Sequence, residues 1–490
     1  MHTWLKNTHV AYISGAVTSP LEAGFIDSLL GQFRALGHTV QEVPDNHTDF
    51  LITTAPFDQP LPWRKALLFT GRARYKYRHS PMIFSLIKVT PRVLDRELAL
   101  FRQALEKDEP DPSDYRFPGL APSAYKVLHE QGRRGGAILA LERLLQARSK
   151  CINVLLLVGE QEIEAVYHFD LVGAYPVTIA KDNPNFFREI VLRMVTRVSA
   201  HEVTNHQVVG DPISRDLWSA AKTPAWMLAA ARKLDERHFF TDTVHISELV
   251  DVPAVGDAVA SQYSEGCFAT WDPDLNVLLT TVTGSIRPVS KGSITEDDLA
   301  VIVGVRPDGG GALVRHVEGK RNDPPSSEAV EMIGMDSLLP KIVLDFDNRT
   351  RVEVPVIRSK LHGHRGISSY NPQLVEFVPL DAPYYHFPVS CATDAQAREV
   401  IQAFSRSVAL KNPSDHRKVV FTILPTHGVV IVEKWVPGSD PFQTIWEYFD
   451  SGHLVLDSHV PQGYVDFNAK SGRRILSDAA SRVSYFHAQP

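Results

Sequence analysis

Cysteine is scarce in this chain, with three residues in 490, at positions Cys151, Cys267 and Cys391. So sparse and odd a set excludes a disulfide framework and points to a reducing compartment. Long apolar runs are missing too. The opening Met-His-Thr-Trp-Leu-Lys-Asn lacks the apolar stretch of a signal peptide, and no run is long enough to span a bilayer. The expectation is a soluble, cytoplasmic protein with no membrane partner. Nor is there an excess of positive charge. Lys and Arg number 51 against 57 Asp and Glu, a net charge of −6, which argues against a general nucleic-acid binder.

What is present is the composition of an ordinary globular protein, 44% hydrophobic and 22% charged. The length calls for two domains, expected at 1–212 and 213–490. In the first half, short apolar strands alternate with helices. His9–Ser14 reads as a buried strand, and Ser19-Pro20 then supplies a helix N-cap and a proline at the first helical position. Leu21, Phe25, Leu29, Phe33 and Leu36 recur at helical spacing until Gly37. Strands are expected at Thr39–Val43, Phe50–Thr54, Lys65–Phe69, Met82–Val89, Ile152–Val158 and Glu164–Phe169. Helices are expected at Leu94–Glu106, within Ser123–Lys150, and from Pro184 to Ser199, with a proline-rich connector at Pro110–Pro122. Continuous apolar strands between helices favour a mostly parallel sheet covered on both faces, an α/β domain.

Three features of this half bear on ligands. Gly15-Ala-Val-Thr-Ser19 lies between a strand and a helix N-terminus, where backbone N–H groups can hold an anion, yet it has no GxGxxG or P-loop pattern. Arg72, Arg74, Lys76 and Arg78 alternate with Ala73, Tyr75 and Tyr77. That pattern fits either a phosphate-gripping face or a charged edge strand, and the edge strand is preferred. The third, His201-Glu202…His206, superficially resembles a zinc-protease helix, but its histidines are at i and i+5, about 140° apart on a helix, whereas the protease motif needs i and i+4.

The second half is organised around Arg358-Ser-Lys-Leu-His362-Gly-His364-Arg. Histidines at i and i+2 on a strand share a face, so both imidazoles can converge on one small cation. Upstream lies Pro324-Pro-Ser326-Ser327-Glu328, and downstream Leu424-Pro-Thr426-His427-Gly428. One carboxylate and three imidazoles suit a divalent metal used in catalysis.

With Leu279-Thr-Thr-Val-Thr283-Gly284, Ile294-Thr-Glu-Asp-Asp-Leu-Ala-Val-Ile302 and Ser390-Cys-Ala-Thr393, these segments stand in the order found in the class II aldolase/adducin family. Residues 217–470 resemble that family, which includes zinc-dependent sugar-phosphate aldolases, epimerases and dehydratases. The resemblance implies an α/β/α domain with zinc or another divalent ion on His362, His364 and His427. It implies Glu328 as the catalytic acid–base group, and Gly266, Cys267, Thr283, Gly284, Ser326 and Ser327 around the substrate's phosphate. Cys267 replaces the family's asparagine, and a thiol is a poor hydrogen-bond donor. Its bland reading is a buried small hydrophobe. Thr426 likewise replaces an asparagine, and the stretch from Glu328 to His362 is lengthened by the strand-like Lys341–Phe346.

Further elements are expected as a helix from Thr223, a hairpin turn at Asp308–Gly311, a capping box at Thr393-Asp-Ala-Gln396, and a last helix from Pro441. The tail holds Tyr464, Phe467, Tyr485 and Phe486; in related aldolases such a tail reaches a neighbouring subunit's site. The function expected is a metal-dependent lyase acting on a small sugar phosphate or sugar acid through an enediolate, in a homo-oligomer such as a tetramer. An epimerase or dehydratase on the same fold, or a non-catalytic adducin-like assembly module, is the alternative.

Overall fold

The structure, a computed structural model, describes residues 8–13, 19–44, 48, 50–56, 82–108, 129, 133, 137, 152–170, 174–176, 181–203, 206–240, 242–244, 262–264, 266–283, 291–309, 311–346, 350–381, 394–424, 427–436, 438–457 and 465–476. Several expectations lie outside these residues: the strand at 65–69, the basic stretch 72–78, the connector 110–122 and most of the helix within 123–150. So do residues 14–18, Gly284, the 390–393 motif, Thr426, and Tyr464, Tyr485 and Phe486 of the tail. The fold is α/β. Among the described residues no helix is long and apolar enough to cross a membrane. Two compact units divide at Glu202/Val203, and the described residues between 242 and 263 return to the first.

The first unit is built on β1 (His9–Ile13), β2 (Thr39–Gln41), β3 (Phe50–Pro56), β4 (Met82–Val89), β5 (Ile152–Val158), β6 (Ile163–Asp170) and β7 (Ala174–Pro176). They form one sheet in the order β2-β1-β3-β4-β5-β6-β7, parallel from β2 to β5, with β6 and β7 antiparallel. Helix α1 (Pro20–Ala35) starts at a capping box. Glu22 N–H donates to the Ser19 hydroxyl at 3.4 Å, and Ser19 N–H donates to Glu22 Oε2 at 2.9 Å. Phe25, Leu29 and Phe33 on its apolar face share a core with Val10, Ile52 and Val166. That core also takes Ile190, Val191 and Met194 of α3 (Phe186–Val203), which follows α2 (Pro91–Leu105) in the chain.

The second unit begins upstream of the expected boundary near 212, since β8 (Gln207–Val208) belongs to its sheet. The further strands are β9 (Cys267–Asp272), β10 (Val277–Thr281), β11 (Leu299–Val305), β12 (Ala312–Arg315), β13 (Ile357–Gly363), β14 (Val375–Phe377), β15 (Val419–Leu424) and β16 (Gly428–Lys434). Their order is β14-β15-β16-β13-β9-β10-β11-β12-β8, antiparallel apart from the parallel outer pairs β14·β15 and β12·β8. Strands β10, β15 and β16 are buried along their whole length, and most of their side chains are apolar on both faces.

Strand alternation divides the side chains between two cores. Phe268, Leu279, Leu361, Phe421 and Ile431 pack with α5 (Thr223–Glu236) and α9 (Gln443–Asp450). Cys267, Leu278, Ile302, Val430 and Val432 pack with α6 (Ala329–Gly334) and α7 (Asp394–Ser405). The shorter α4 (Arg215–Ala220) and α8 (Val408–Lys411) lie between the others in sequence. The segment Lys341–Phe346 pairs with Thr350–Pro355 as a separate two-stranded ribbon.

Candidate metal centre

Strand register gathers the histidines. His362 sits near the end of β13, opposite Cys267 of β9 on one side and Val430 of β16 on the other. His364 follows just beyond the strand, and His427 occupies the tight connection between β15 and β16, its N–H donating to Leu424 O at 3.0 Å. All three are buried, and their rings form a triangle with centroid separations of 5.3, 4.8 and 5.1 Å. One ring nitrogen from each lies within 4.8 Å of the others.

Such closeness depends on backbone with little or no side chain. Gly266 has φ +92°, a conformation that suits glycine, and a Cβ there would stand 2.5 Å from His362 O. A Cβ on Gly428 would overlap the Gly363 carbonyl and stand 2.7 Å from His364 Cα.

The donor set fits a divalent ion. His362 Nδ1 donates to Val429 O at 3.2 Å, which fixes the proton on Nδ1 and turns the Nε2 lone pair into the ligating position. Three neutral imidazoles that leave positions open are the usual protein share of a catalytic zinc site.

Glu328 is brought to this centre by a short strand-like crossing. Thr283 N–H donates to Pro324 O at 2.9 Å and Ser326 N–H to Thr281 O at 3.0 Å, so the 324–326 segment runs beside the end of β10. Thr283, Ser326, Ser327 and Glu328 are thereby gathered, with Glu328 at the position that opens α6. Ser326 Oγ donates to a Glu328 carboxylate oxygen at 2.5 Å and also reaches the Cys267 sulfur. Burial pushes the Glu328 carboxyl up, but His362, the Ser326 hydroxyl and His364 outweigh it and hold the group below its ordinary range. Cys267 is fully buried, and burial, with Glu328 and Glu331 nearby, pushes its thiol well up.

Two charged residues near the centre escaped the sequence reading. Lys291 is buried, and its neighbours include Cys267, Glu328 and Asp298; burial lowers its pKa against their attraction. A lysine between two loop motifs ordinarily reads as solvated. Glu331, one helical turn after Glu328, is 1% exposed. Gln396, the glutamine expected in a capping box with Thr393, donates from Nε2 to Glu331 Oε2 at 3.0 Å. The available signal was the spacing of Glu328 and Glu331 on one helical face flanked by apolar residues.

No family model matches the chain, and no curated protein matches it.

Proposed function

We propose that the second unit is a metal-dependent lyase of the class II aldolase type, acting on a small sugar phosphate or sugar acid by way of an enediolate. The observation that supports it most is the buried His362/His364/His427 triangle with the Glu328 carboxylate held beside it by Ser326. Zinc or another divalent ion, held by the three imidazoles, supplies Lewis-acid polarisation of adjacent hydroxyl and carbonyl oxygens.

The remaining work falls to the chain's own groups. Glu328 takes the proton from the carbon next to the carbonyl and can return it to the same or another position. The Ser326 hydroxyl steers that carboxylate, because it donates to one oxygen and leaves the other for the substrate. Thr283, Ser327 and the Gly266 amide face the anionic end of the substrate, and Gly284 is assigned there from the sequence alone. Cys267 contributes shape rather than a hydrogen bond, since its thiol is buried and remains protonated. Lys291, close to Glu328, offsets the negative charge that accumulates as the enediolate forms.

The test uses protein purified without chelator. Elemental analysis should return about one divalent ion per chain, falling steeply in His362→Ala and in His427→Ala. Deuterium uptake at the α-carbon of ketose 1-phosphates and aldonates should then fall by roughly 10²–10⁴-fold in Glu328→Gln, with metal retained. Equal metal content in all three proteins sinks this reading and favours a binding module.

A further inference from the structure

Glu331 is not needed to hold a metal or to position Glu328, yet it occupies one of the most enclosed places in the second unit. It is 1% exposed, and its side chain's only hydrogen bond among the described residues is the 3.0 Å contact from the neutral Gln396 amide to Oε2. The other oxygen, Oε1, accepts none. Among the described residues, the ionisable groups that bear on it are Glu328 on its own helix and Cys267 on β9, both acidic. Strand β11, packed against α6, contributes Leu299–Val305 and no ionisable side chain. Asp336 in the following turn is paired with Lys360 of β13. On α7, Gln396 faces Glu331, while Glu399 has Asp381, Arg406 and Arg398 as its charged neighbours. Arg315 of β12, also beside α6, donates to Asp211 O.

With no cation bearing on it among the described residues and a second carboxylate one turn away, the charged form of this buried group is unfavourable, so it is neutral at physiological pH. Burial first, and then Glu328, push its pKa up to about 8. Residues three apart on a helix have Cβ atoms about 5–6 Å apart, so a protonated and an ionised carboxyl stand side by side. When environment separates two neighbouring carboxyls in this way, one is the acid and the other the base.

We infer that Glu331 is the general acid of the site: it delivers a proton to a departing oxygen of the substrate while Glu328 removes a proton from carbon. This rests on the metal-dependent reading above and narrows it to a β-elimination of water from a hydroxylated carbonyl compound or sugar acid. In that step the α C–H bond breaks and its proton goes to Glu328. The β C–O bond breaks with its electron pair going to oxygen, and the Glu331 proton joins that oxygen as water leaves. Glu331 is then a carboxylate and Glu328 an acid, and one proton passed from Glu328 to Glu331 resets both. The substrate has lost one water, and no oxidant or reductant is involved. Retro-aldol cleavage instead begins by removing a proton from the β-hydroxyl, which calls for a base at that oxygen rather than for a proton-loaded carboxyl.

The test combines a spectroscopic and a chemical readout on the full-length, zinc-loaded protein. Infrared spectra at pH 7, with carbon-13 glutamate labelling, should show a protonated-carboxyl band that disappears in Glu331→Gln and persists in Glu328→Gln. With ribulose 1-phosphate and gluconate as probes, Glu331→Gln should retain α-carbon deuterium uptake to within roughly threefold. Its formation of dehydrated product should fall by roughly 10²–10⁴-fold, while Glu328→Gln loses both activities. Absence of the band from the wild-type protein overturns the assignment whatever the activity, as does a Glu331→Gln protein that dehydrates at the wild-type rate. Missing metal and missing deuterium uptake in the wild type defeat instead the metal-dependent reading, and the infrared band still decides whether Glu331 holds a proton.

Discussion

Lys360 Nζ lies 2.5 Å from Asp336 Oδ2, with the lysine side chain wholly excluded from solvent and the aspartate nearly so. The same ammonium donates to Met332 O, within α6. Lys360 is two residues before His362 on β13, and α6 begins just after Glu328. One buried cation thus ties the strand of the histidines to the helix of the proposed acid–base groups. Burial pushes Asp336 up and Lys360 down, each toward its neutral form, and their mutual attraction opposes both shifts.

Lys360→Met should therefore be severe, because it leaves Asp336 buried without its cation. Removing one partner of a buried pair costs about 3–5 kcal/mol, visible as a lower denaturant midpoint. Adding Asp336→Leu should recover most of that loss, since a buried pair replaced by apolar residues of similar volume is often neutral in stability. A double variant no more stable than Lys360→Met would show that the lysine's contact with Met332 O dominates.

Much of the framework was legible in the sequence. Helices α1 and α2 lie where apolar positions recur every three to four residues, between a cap and a stop. His362 lies in β13 but His364 lies just beyond its end, so both rings meet His427 without the shared strand face that their i, i+2 spacing predicts. Lys291, Glu331 and Lys360 were not legible. A charged residue in a loop, a short helix or a strand reads as solvent-facing by default, and only the packing of α6 and α7 over the sheet takes Glu331 and Lys360 out of water. The strand pairs that set Cys267 beside His362 join residues almost a hundred positions apart, and no local pattern encodes that register.

Cys267 should be inert in the folded protein. The thiolate is the reactive form, and here burial, then Glu328 and Glu331, hold the thiol protonated. Iodoacetamide at pH 7.5 should label the Cys267 peptide far more slowly in native than in urea-unfolded protein, by roughly a hundredfold or more, as peptide mapping would record. Comparable rates in the two states would mean that β9 opens readily.

Glu331 predicts an unusual dependence of stability on pH. Its folded-state pKa of about 8 lies above the ordinary 4.5, so the folded chain keeps a proton that the unfolded chain has released. Where the folded state binds more protons, stability falls as pH rises. Its contribution is fully present below about pH 4.5, declines through the interval up to about 8, and then levels off. At about 1.36 kcal/mol per unit, the whole effect is on the order of 5 kcal/mol. Glu331→Gln keeps a neutral group for Gln396 to bond and should remove that slope, so the variant gains on the wild type between pH 5 and 8. Parallel stability curves for the two proteins would show that Glu331 ionises as an ordinary carboxylate.

Gly428→Ala tests whether backbone closeness, rather than the three imidazoles alone, makes the metal centre. The added methyl would overlap the Gly363 carbonyl and crowd His364 Cα at 2.7 Å, so β16 and the end of β13 must separate. Neither neighbour is the flexible end of a side chain, and both belong to the backbone between His362 and the residue after His364. His427 is attached to the same turn, so the separation displaces it from the other two rings. With every histidine still present, metal content measured by elemental analysis should drop by half or more, and the melting temperature should fall. Gly438→Ala provides the control. Gly438 has a positive φ of 75° but nothing within 4 Å of an added Cβ, so its substitution strains the backbone without moving the histidines. Loss of metal in Gly428→Ala alone assigns the effect to the approach of β16 on β13, whereas equal metal in both variants would mean that the triangle tolerates wider strand spacing.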